Sequence, residues 1–277
     1  MDLASEIERN VAAALAEDVG GGDLTAPLTP VGKTARAVVM SRQVAVICGQ
    51  AWFEATLRSL DARATVSWLA AEGTQVAAGT RICEIRGQAR ALLTAERVAL
   101  NFLQTLSGVA TVTRRYVEAI AGTRARIVDT RKTLPGLRLA QKYAVRVGGG
   151  SNHRLGLYDA MLIKENHIAT AGGITPALSA AMKSAPPGAW IQIEVENLRQ
   201  LREALDAGAR HVLLDNMSLE TMREAVRIAG DRAELEASGG ITLENVRAIA
   251  ETGVHRISVG ALTKDVRVAD FSMRFES

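Results

Sequence analysis

The chain of 277 residues is 48% hydrophobic but only 4% aromatic, and its formal net charge is +3. This length allows one or two domains with sizeable cores, and a composition rich in Ala, Val, Leu and Ile suits helices packed on a buried parallel sheet. The basic residues form no long runs, so composition alone does not argue for a nucleic-acid-binding protein. No apolar run reaches the roughly 18 residues of a membrane span, and the start of the chain lacks the apolar core of a signal peptide. We therefore expect a cytoplasmic protein.

The two cysteines, Cys48 and Cys83, show no CxxC spacing and have no histidine nearby. Such a pattern indicates neither a metal site nor a redox pair. We expect two buried free thiols in a reducing compartment.

The first part of the chain, up to about residue 94, mixes helical and strand-like patterns. An amphipathic helix is predicted over 5–19, a Gly-rich loop over 20–32, and a helix over 50–60 between strand-like runs at 35–49 and 64–70. The stretch "EGTQVAAGTRICEIRG" (72–87) has the form of a Gly-bounded hairpin. Similar hairpins occur in biotinyl and lipoyl carriers, but this turn has no lysine to modify, so a carrier function is disfavoured.

From about residue 108 onward, strand, loop and helix patterns alternate. Six β-rich runs are visible, and a seventh strand is not excluded; the six are 126–129, 160–163, 190–195, 211–214, 234–237 and 256–259. Strands that alternate with helices indicate βαβ units and a parallel sheet. The count is compatible with a βα barrel and with an open doubly wound sheet.

Polar residues or glycines follow each of these runs. The first is followed by Thr130, Arg131 and Lys132, and the others lead to Lys164, Glu194, Asp215, Ser238-Gly239-Gly240 and Val259-Gly260-Ala261. In a βα barrel the carboxyl ends of the strands meet at one mouth, where active sites form. We therefore expect these residues to surround one cavity, although each charge taken alone could be a solvated surface group.

The two Gly-rich turns after the last two strands suit a phosphate, because backbone amides at such turns point toward an anion. Ordinary loop glycines are the alternative. The carboxylates Glu194 and Asp215 could neutralise the neighbouring cations, bind magnesium through water, or hold ribose hydroxyls.

A second polar cluster lies in "KYAVRVGGGSNHRLG", where His153 and Arg154 follow three glycines. The glycines allow backbone conformations that other residues avoid. A His-Arg pair in this setting predicts an anion clamp, with a structural histidine as the alternative.

The helix predicted over 94–116 has an apolar face and a polar stripe. We expect the apolar face to be buried through Val98, Ala99, Phe102, Leu103 and Leu106. The opposite stripe contains Arg97, Asn101, Gln104, Gly108 and Thr111. From the residues alone, Arg97 either faces solvent or reaches a neighbouring subunit's cavity.

Several long stretches of the sequence carry a resemblance to a known family. They are "TAERVALNFLQTLSGVAT", "DTRKTLPGLR", "KYAVRVGGGSNHRLGLYDAMLIKENHI", "IEVEN", "LLDN" and "ETGVHRISVGALT". Together they resemble quinolinate phosphoribosyltransferase, the carboxylating nicotinate-nucleotide pyrophosphorylase family, strongly over residues 88–271 and more loosely before that.

The resemblance implies an α/β fold of two domains. An N-terminal α/β sandwich would cover residues 1–107, with residues 272–277 returning to it. An open α/β barrel of the type II phosphoribosyltransferase kind would cover residues 108–271. The family thus favours a barrel where the strand count left two possibilities open.

The resemblance also implies roles for the polar residues. Thr130 would belong to the substrate site, and Arg131, Lys132, His153 and Arg154 would hold the two carboxylates of quinolinate. Lys164 would meet pyrophosphate, and Glu194 and Asp215 would hold ribose hydroxyls and a hydrated Mg²⁺. The residues expected to wrap the 5-phosphate are Ser238, Gly239, Gly240, Val259, Gly260 and Ala261.

The implied enzyme is a pentosyltransferase of NAD biosynthesis. It would use phosphoribosyl pyrophosphate (PRPP) and quinolinate to give nicotinate mononucleotide, pyrophosphate and CO₂, with Mg²⁺ and no organic cofactor. Lys132, Lys164, Glu194 and Asp215 would be its catalytic residues. A homodimer is implied, possibly part of a higher oligomer, in which Arg97 enters the partner's site.

Three other functions remain to be weighed. A paralogous phosphoribosyltransferase, such as the homologue associated with molybdenum transport, would act on another base. A Schiff-base aldolase would use Lys164, which would then need a lowered pKa. A non-enzymatic anion sensor would bind PRPP without releasing pyrophosphate.

Overall fold

The structure is a computed structural model that describes residues 2–276. Over these residues we number ten α-helices and twelve strands in chain order. The helices are α1 Leu3–Val19, α2 Gln50–Leu60, α3 Ala89–Ala119, α4 Arg138–Val147, α5 Glu165–Ala171, α6 Ile174–Ser184, α7 Leu198–Asp206, α8 Leu219–Ala229, α9 Val246–Ala250 and α10 Ala261–Lys264. The strands are β1 Thr34–Ser41, β2 Ala45–Val46, β3 Thr65–Trp68, β4 Gln75–Val76, β5 Arg81–Gln88, β6 Arg126–Val128, β7 Ala160–Ile163, β8 Trp190–Val195, β9 His211–Asp215, β10 Glu234–Ser238, β11 Arg256–Ser258 and β12 Phe271–Glu276.

The chain folds into two compact units, each made of segments that are distant in sequence. The first unit contains the residues up to Arg114, the segment Thr133–Gly149 and the residues from Leu262 onward. The second unit contains Arg115–Lys132 and Gly150–Ala261. The domain boundaries expected from the sequence stay a prediction.

The first unit is built on a four-stranded antiparallel sheet in the order β12-β1-β5-β3. Strand β12 pairs with β1 from Arg36 opposite Glu276 to Ser41 opposite Phe271, so it forms an edge of the sheet. The central strands β1 and β5 bury consecutive apolar residues, such as Ala37 to Val39 and Ile82 with Cys83. Helices α2 and α3 supply Phe53, Leu57 and Leu103 to the buried core of this unit. The predicted α/β sandwich is confirmed.

The predicted hairpin over residues 72–87 is wrong. Strand β4 pairs with β2, whereas β5 lies between β1 and β3 and pairs with both. The reason is burial: Ile82, Cys83 and Ile85 of β5 are fully buried. Their apolar surface is removed from water only if β5 takes a central position in the larger sheet.

Helix α3 buries all five apolar residues expected from its pattern. The expectation for Gly108, placed in the polar stripe, is wrong, because this glycine is buried. The backbone of Arg267 and Val268 lies against it, and a Cβ at position 108 would collide with the carbonyl oxygen of Arg267. Both cysteines are buried free thiols, as predicted.

The second unit contains a six-stranded sheet in the order β6-β11-β10-β9-β8-β7, with every pair parallel. The first strand, β6, lies beside the last, β11, as in a barrel, while β6 and β7 are the two edges. The barrel is therefore open between β6 and β7. At the free edge of β6, Ser151 makes a one-residue parallel bridge to Val128, the nearest feature to a seventh strand among the described residues.

No helix within residues 2–276 is both long and apolar enough to cross a membrane.

Candidate active site

A cavity of about 310 Å³ lies at the carboxyl ends of the parallel strands of the second unit. Its lining includes eight of the residues predicted for the site: Thr130, Arg131, Lys132, His153, Arg154, Lys164, Glu194 and Ser238. The convergence expected for a βα barrel therefore occurs for these eight, which come from five separate stretches of the chain.

Asp129, at the end of β6, ties two of these stretches together. Its carboxylate is fully buried and accepts hydrogen bonds from the backbone N of His153 at 2.8 Å and from Asn152 Nδ2 at 2.6 Å. In the turn that follows, Thr130 Oγ1 accepts from the backbone N of Lys132 at 3.0 Å. A buried carboxylate needs such donors, so Asp129 fixes the His-Arg segment beside the Arg-Lys segment.

Arg154 is a buried guanidinium, 9% exposed, with another arginine as neighbour. Its Nη1 donates to the carbonyl oxygen of Ala160 at 3.2 Å. Burial and the charge of Arg131 lower the pKa of Arg154, and Asp159 offsets part of this effect. Asp159 also accepts backbone hydrogen bonds from Leu155 and Gly156, which closes the loop behind Arg154. The pocket thus contains one guanidinium, that of Arg154, which is largely removed from water.

His153 is held on both ring nitrogens. Its Nδ1 accepts from the backbone N of Arg154 at 2.7 Å, so the neutral ring carries its proton on Nε2. The Nε2 proton then points to Oε1 of Gln192, 2.9 Å away. The ring also lies against Trp190, with centroids 5.0 Å apart.

Lys164 and Glu194 face each other across the cavity, with Nζ and Oε2 3.9 Å apart. Burial raises the pKa of Glu194; Lys164 lowers it, and the carboxylates of Asp215, Glu196 and Glu165 raise it further. The Lys164 side chain is 53% exposed and has a carboxylate partner. A Schiff-base lysine needs the opposite surroundings, apolar or cationic, so this geometry disfavours the aldolase alternative.

Asp215, predicted for the same site, ends β9 but does not line the cavity. It lies close enough to Glu194 to raise the pKa of that residue. The next residue, Asn216, donates from Nδ2 to Asp215 Oδ2 at 2.9 Å and adopts a φ of 51°, unusual for a residue with a side chain.

The turn after β10 requires glycine. Gly239 has a φ of 98° and Gly240 a φ of 60°, both in the region that favours glycine. A Cβ on Gly239 would also collide with the side chain of Asn216, whose backbone N donates to the carbonyl oxygen of Ser238. Neither glycine lines the cavity, although Ser238 does.

The second Gly-rich turn and Arg97 lie outside the lining of the cavity. Val259 is buried, and its N–H donates to the carbonyl oxygen of Val128, so this amide is engaged inside the sheet. Gly260 and Ala261 follow at the end of β11 and are partly exposed. Arg97 is exposed on α3, in the part of the helix that belongs to the first unit.

Four further lining residues were not predicted: Leu162, Leu213, Glu236 and Ser258. Alternation along the strands was the signal that could have found the polar ones. Side chains two apart in a strand share a face, so Glu236 faces the same way as Ser238. The same rule places Gln192 on the face of Glu194. Leu162 and Leu213 have no polar signal, since apolar strand residues are found throughout the chain.

A larger groove, of about 1230 Å³, lies in the first unit. It is lined by basic residues such as Lys33, Arg63 and Arg86, together with Asp61 and others, and by none of the predicted site residues. Since chemistry rather than size marks a site, the smaller cavity remains the candidate.

Two family models match the chain. The N-terminal domain of quinolinate phosphoribosyl transferase matches residues 23–107, and the C-terminal domain matches residues 109–274. Together they cover well over half of the sequence.

Individual relatives agree with these matches. A probable carboxylating nicotinate-nucleotide pyrophosphorylase from Bacillus subtilis is 42% identical, over 93% of this chain and 89% of the relative. The carboxylating nicotinate-nucleotide pyrophosphorylase from Mycobacterium leprae is 43% identical, over 94% of each chain. The solved structure of the nicotinate-nucleotide pyrophosphorylase from Francisella tularensis has a TM-score of 0.95 at 45% identity and covers 98% of this chain and 96% of its own. The chain therefore belongs to the quinolinate phosphoribosyltransferase family.

Proposed function

We propose that this protein transfers the phosphoribosyl group of PRPP to quinolinate and releases pyrophosphate and CO₂. The product is nicotinate mononucleotide, a precursor in NAD biosynthesis. The names of the relatives support this activity over that of a molybdenum-transport-associated homologue.

The observation that carries the proposal is the concentration of cations in one cavity. Arg131, Lys132, Arg154 and Lys164 converge there, and Arg131 is close enough to Arg154 to lower its pKa. Two unit charges about 4 Å apart interact by about 1 kcal/mol in water and several times more in a protein-like medium. A polyanion relieves that repulsion, and both proposed substrates are polyanions.

The dicarboxylate would lie between the two basic segments that Asp129 ties together. Arg131 and Arg154 are suited to it because a guanidinium can hold a carboxylate through two parallel hydrogen bonds. His153 would contribute to the shape of this end of the pocket. Its ring nitrogens are engaged with Arg154 and Gln192, so we expect it to orient the segment.

The ribosyl end would lie near Lys164 and Glu194. As the bond to pyrophosphate breaks, the anomeric carbon gains positive charge and the leaving group gains negative charge. Lys132 and Lys164 stabilise the leaving group, and Glu194 lies where the positive charge develops. The catalysis is positioning together with preorganised charge.

Decarboxylation needs no organic cofactor. Once the pyridine nitrogen is alkylated it is cationic, and the adjacent C2 carboxylate loses CO₂. The electron pair left on C2 is stabilised by that nitrogen, and C2 then takes a proton from solvent. The residues' part in this step is to keep the pyridine ring fixed through its second carboxylate.

Magnesium fits the carboxylates at the ribosyl end. Among the described residues no group of three Asp, Glu, His or Cys side chains could hold a metal ion by itself. Mg²⁺ commonly keeps several waters and uses one or two carboxylates plus substrate phosphates. Glu194 and Asp215, which interact electrostatically, would hold it in that way, and it would neutralise pyrophosphate.

A homodimer would complete the site. Arg97 is exposed on α3 and is available to an adjoining subunit, whose dicarboxylate it would contact. The proposed enzyme acts on small molecules in the cytoplasm, without nucleic acid or membrane, and a higher oligomer remains compatible with it.

A single assay tests the proposal. The purified protein, with Mg²⁺ and PRPP, is given quinolinate or nicotinate, and pyrophosphate and CO₂ are measured. We expect release of both products with quinolinate and of neither with nicotinate. Pyrophosphate release with nicotinate alone would support a different phosphoribosyltransferase, and tight PRPP binding without any release would support an anion sensor.

A further inference from the structure

A connected set of polar and aromatic side chains extends from the cavity lining, to which His153 and Glu236 belong. It contains Trp190 and Gln192 of β8, Glu236 of β10, Arg256 of β11, and His153 from the loop after Ser151. Gln192 and Glu236 are each 1% exposed. The resemblance to the family implies no role for either residue.

The hydrogen bonds form a chain in which each donor is followed by the next. His153 Nε2 donates to Gln192 Oε1 at 2.9 Å, and Gln192 Nε2 donates to Glu236 Oε2 at 3.1 Å. Arg256 Nε lies 3.1 Å from the same carboxylate oxygen, and the second oxygen lies 3.6 Å from His153 Nε2. The amide of Gln192 reaches over β9 to make its contact, because β9 lies between β8 and β10.

Aromatic contacts close the set. The rings of His153 and Trp190 are 5.0 Å apart, and the guanidinium of Arg256 lies over the Trp190 ring at 5.3 Å. His153 is therefore restrained on both nitrogens and on one face. A ring that must also move to bind a substrate would not be restrained in this way.

Stability alone does not account for a carboxylate at this depth. Taking Glu236 out of water is costly, and well-packed apolar residues often serve a core as well as a buried ion pair does. Glu236 belongs to the lining of the candidate cavity, and Gln192, which donates to it, also contacts His153 of the same lining. Both observations connect it to the site.

The geometry points to Glu236 and Gln192 as positioning residues for the dicarboxylate end of the site. Glu236 orients the amide of Gln192, Gln192 holds the Nε2 proton of His153, and His153 Nδ1 holds the backbone of Arg154. The guanidinium of Arg154 is thereby aimed into the cavity before the substrate arrives. This inference rests on the proposed function for its substrate and on the contacts above for its mechanism.

The central variant is Gln192→Met, which keeps the volume and removes both hydrogen bonds. We expect the KM for quinolinate to rise about tenfold while the KM for PRPP stays within about twofold, because one buried hydrogen bond corresponds to about that factor. If the substitution only destabilised the fold, less of the enzyme would be folded. The apparent kcat would then fall, and both KM values would stay unchanged. Equal rises in the two KM values, or no rise, would overturn the inference.

Glu236→Gln serves if Gln192→Met does not fold. It keeps an acceptor for Gln192 but removes the charge, and we expect a rise of about threefold in the KM for quinolinate. The matched control is Glu234→Gln, an exposed glutamate two residues earlier on the same strand, which should leave both KM values unchanged.

A readout on the free protein separates this inference from the proposed function. In NMR spectra the Nε2 proton of His153, assigned by its loss in His153→Asn, should exchange slowly with water. In Gln192→Met we expect exchange at least about tenfold faster, whatever substrate the enzyme takes. An unchanged exchange rate in Gln192→Met would show that Gln192 does not hold the ring of His153. A faster rate, in a protein that is inactive on quinolinate, would refute the proposed substrate but not the positioning role of Gln192.

Discussion

The exposed face of the first unit's sheet and the cavity of the second unit both contain arginines, in opposite surroundings. Arg36 forms ion pairs with Glu84 and with Glu276, and these carboxylates raise its pKa. Arg154 is buried beside Arg131, and its pKa is lowered. Arg36 therefore has two carboxylates beside it, whereas the buried Arg154 has a second arginine as a neighbour and only part of that effect is offset by Asp159.

We infer from this difference that Arg36 has a role on the protein surface and that Arg131 and Arg154 bind an anionic substrate. A surface ion pair contributes little to stability and is complete without any partner from outside. Two neighbouring guanidinium groups, one of them buried, repel each other, and binding of an anion would reduce that repulsion. On the proposed function, the adjacent cations Arg131 and Lys132 at the end of a buried strand are explained by the anionic substrate that they would bind.

The sharpest test of the contrast is Arg131→Ala compared with Arg36→Ala. We expect Arg131→Ala to weaken quinolinate binding on the order of 100-fold, because a charge-assisted, two-pronged contact is lost. PRPP binding should change far less. Isothermal titration calorimetry with each substrate measures both effects.

The matched variant Arg36→Ala should leave both affinities within about twofold, because it removes a surface ion pair. Similar losses for the two substrates in Arg131→Ala would contradict the assigned role. So would a comparable loss in Arg36→Ala.

The next test asks whether Arg97, which lies in the first unit, acts in the active site of the partner subunit. Arg97→Ala and Lys164→Ala should each be nearly inactive as pure proteins. If Arg97 enters the partner's site, random mixing gives hybrid dimers with one intact site, and roughly a quarter of wild-type activity returns.

Activity is measured after the two proteins are unfolded and refolded together, with each variant refolded alone as the control. Absence of recovery would mean that Arg97 acts within its own subunit or has no role. Native mass spectrometry of the mixture confirms that hybrids have formed.

We expect a smaller effect on PRPP binding at the turn of Gly239, where backbone amides, and not charged side chains, would contact the 5-phosphate. Gly239→Ala introduces a Cβ that collides with Asn216 at a φ of 98°, so the turn must shift. We expect the KM for PRPP to rise roughly tenfold and the melting temperature to fall, since a strained backbone costs about 1–3 kcal/mol.

Gly122→Ala is the control for backbone strain alone. Its φ is 80°, and nothing lies within 4 Å of an added Cβ. It should lower the melting temperature but leave the KM for PRPP unchanged. An equal rise in the KM for both variants would remove the 5-phosphate from this turn.

The smallest effect concerns pH. Burial and neighbouring carboxylates raise the pKa of Glu194 above that of an ordinary glutamate. The residue therefore takes up a proton, and loses its charge toward ribose and Mg²⁺, at a higher pH than usual. We expect the KM for PRPP to rise a few-fold as the pH falls through this pKa. In Glu194→Gln the KM for PRPP should not depend on pH in that range.

The same shift has a consequence for stability. Because the folded state raises the pKa, ionised Glu194 opposes folding at neutral pH, and this penalty disappears as the pH falls through the folded pKa. Glu194→Gln should therefore melt at the same temperature as the wild-type enzyme or higher at pH 7, and lower activity would accompany it. A clearly lower melting temperature at pH 7 would contradict the shift.

Much of the fold could be predicted because local patterns were enough. Strands β7 and β8 have the bounds expected from their apolar runs, and α2 coincides with the helix predicted over residues 50–60. Two predictions were wrong for the same reason: the position of Gly108 in the polar stripe of its helix, and the hairpin over residues 72–87. Their environment is set by residues far away in the chain: the backbone of Arg267 in the first case and strands β1 and β3 in the second.

The site divides in the same way. Polar residues that end strands, such as Arg131 and Lys164, were visible in the sequence, because parallel strands bring their carboxyl ends together. Gln192 and Glu236 were not singled out, since a polar residue in the middle of a strand faces either solvent or the interior. Only the packing of the whole sheet decides whether such a side chain faces solvent or the interior.

By itself the sequence determined the order of strands and helices, the family and the residue types at the strand ends, because each of these depends on local spacing and composition. The tertiary structure decided the rest. It placed β6 beside β11, buried Glu236 next to Arg256 and brought Arg131 close enough to Arg154 to affect its pKa. The physical reason is that charge interactions depend on distance and solvation, and neither is fixed until distant segments pack together.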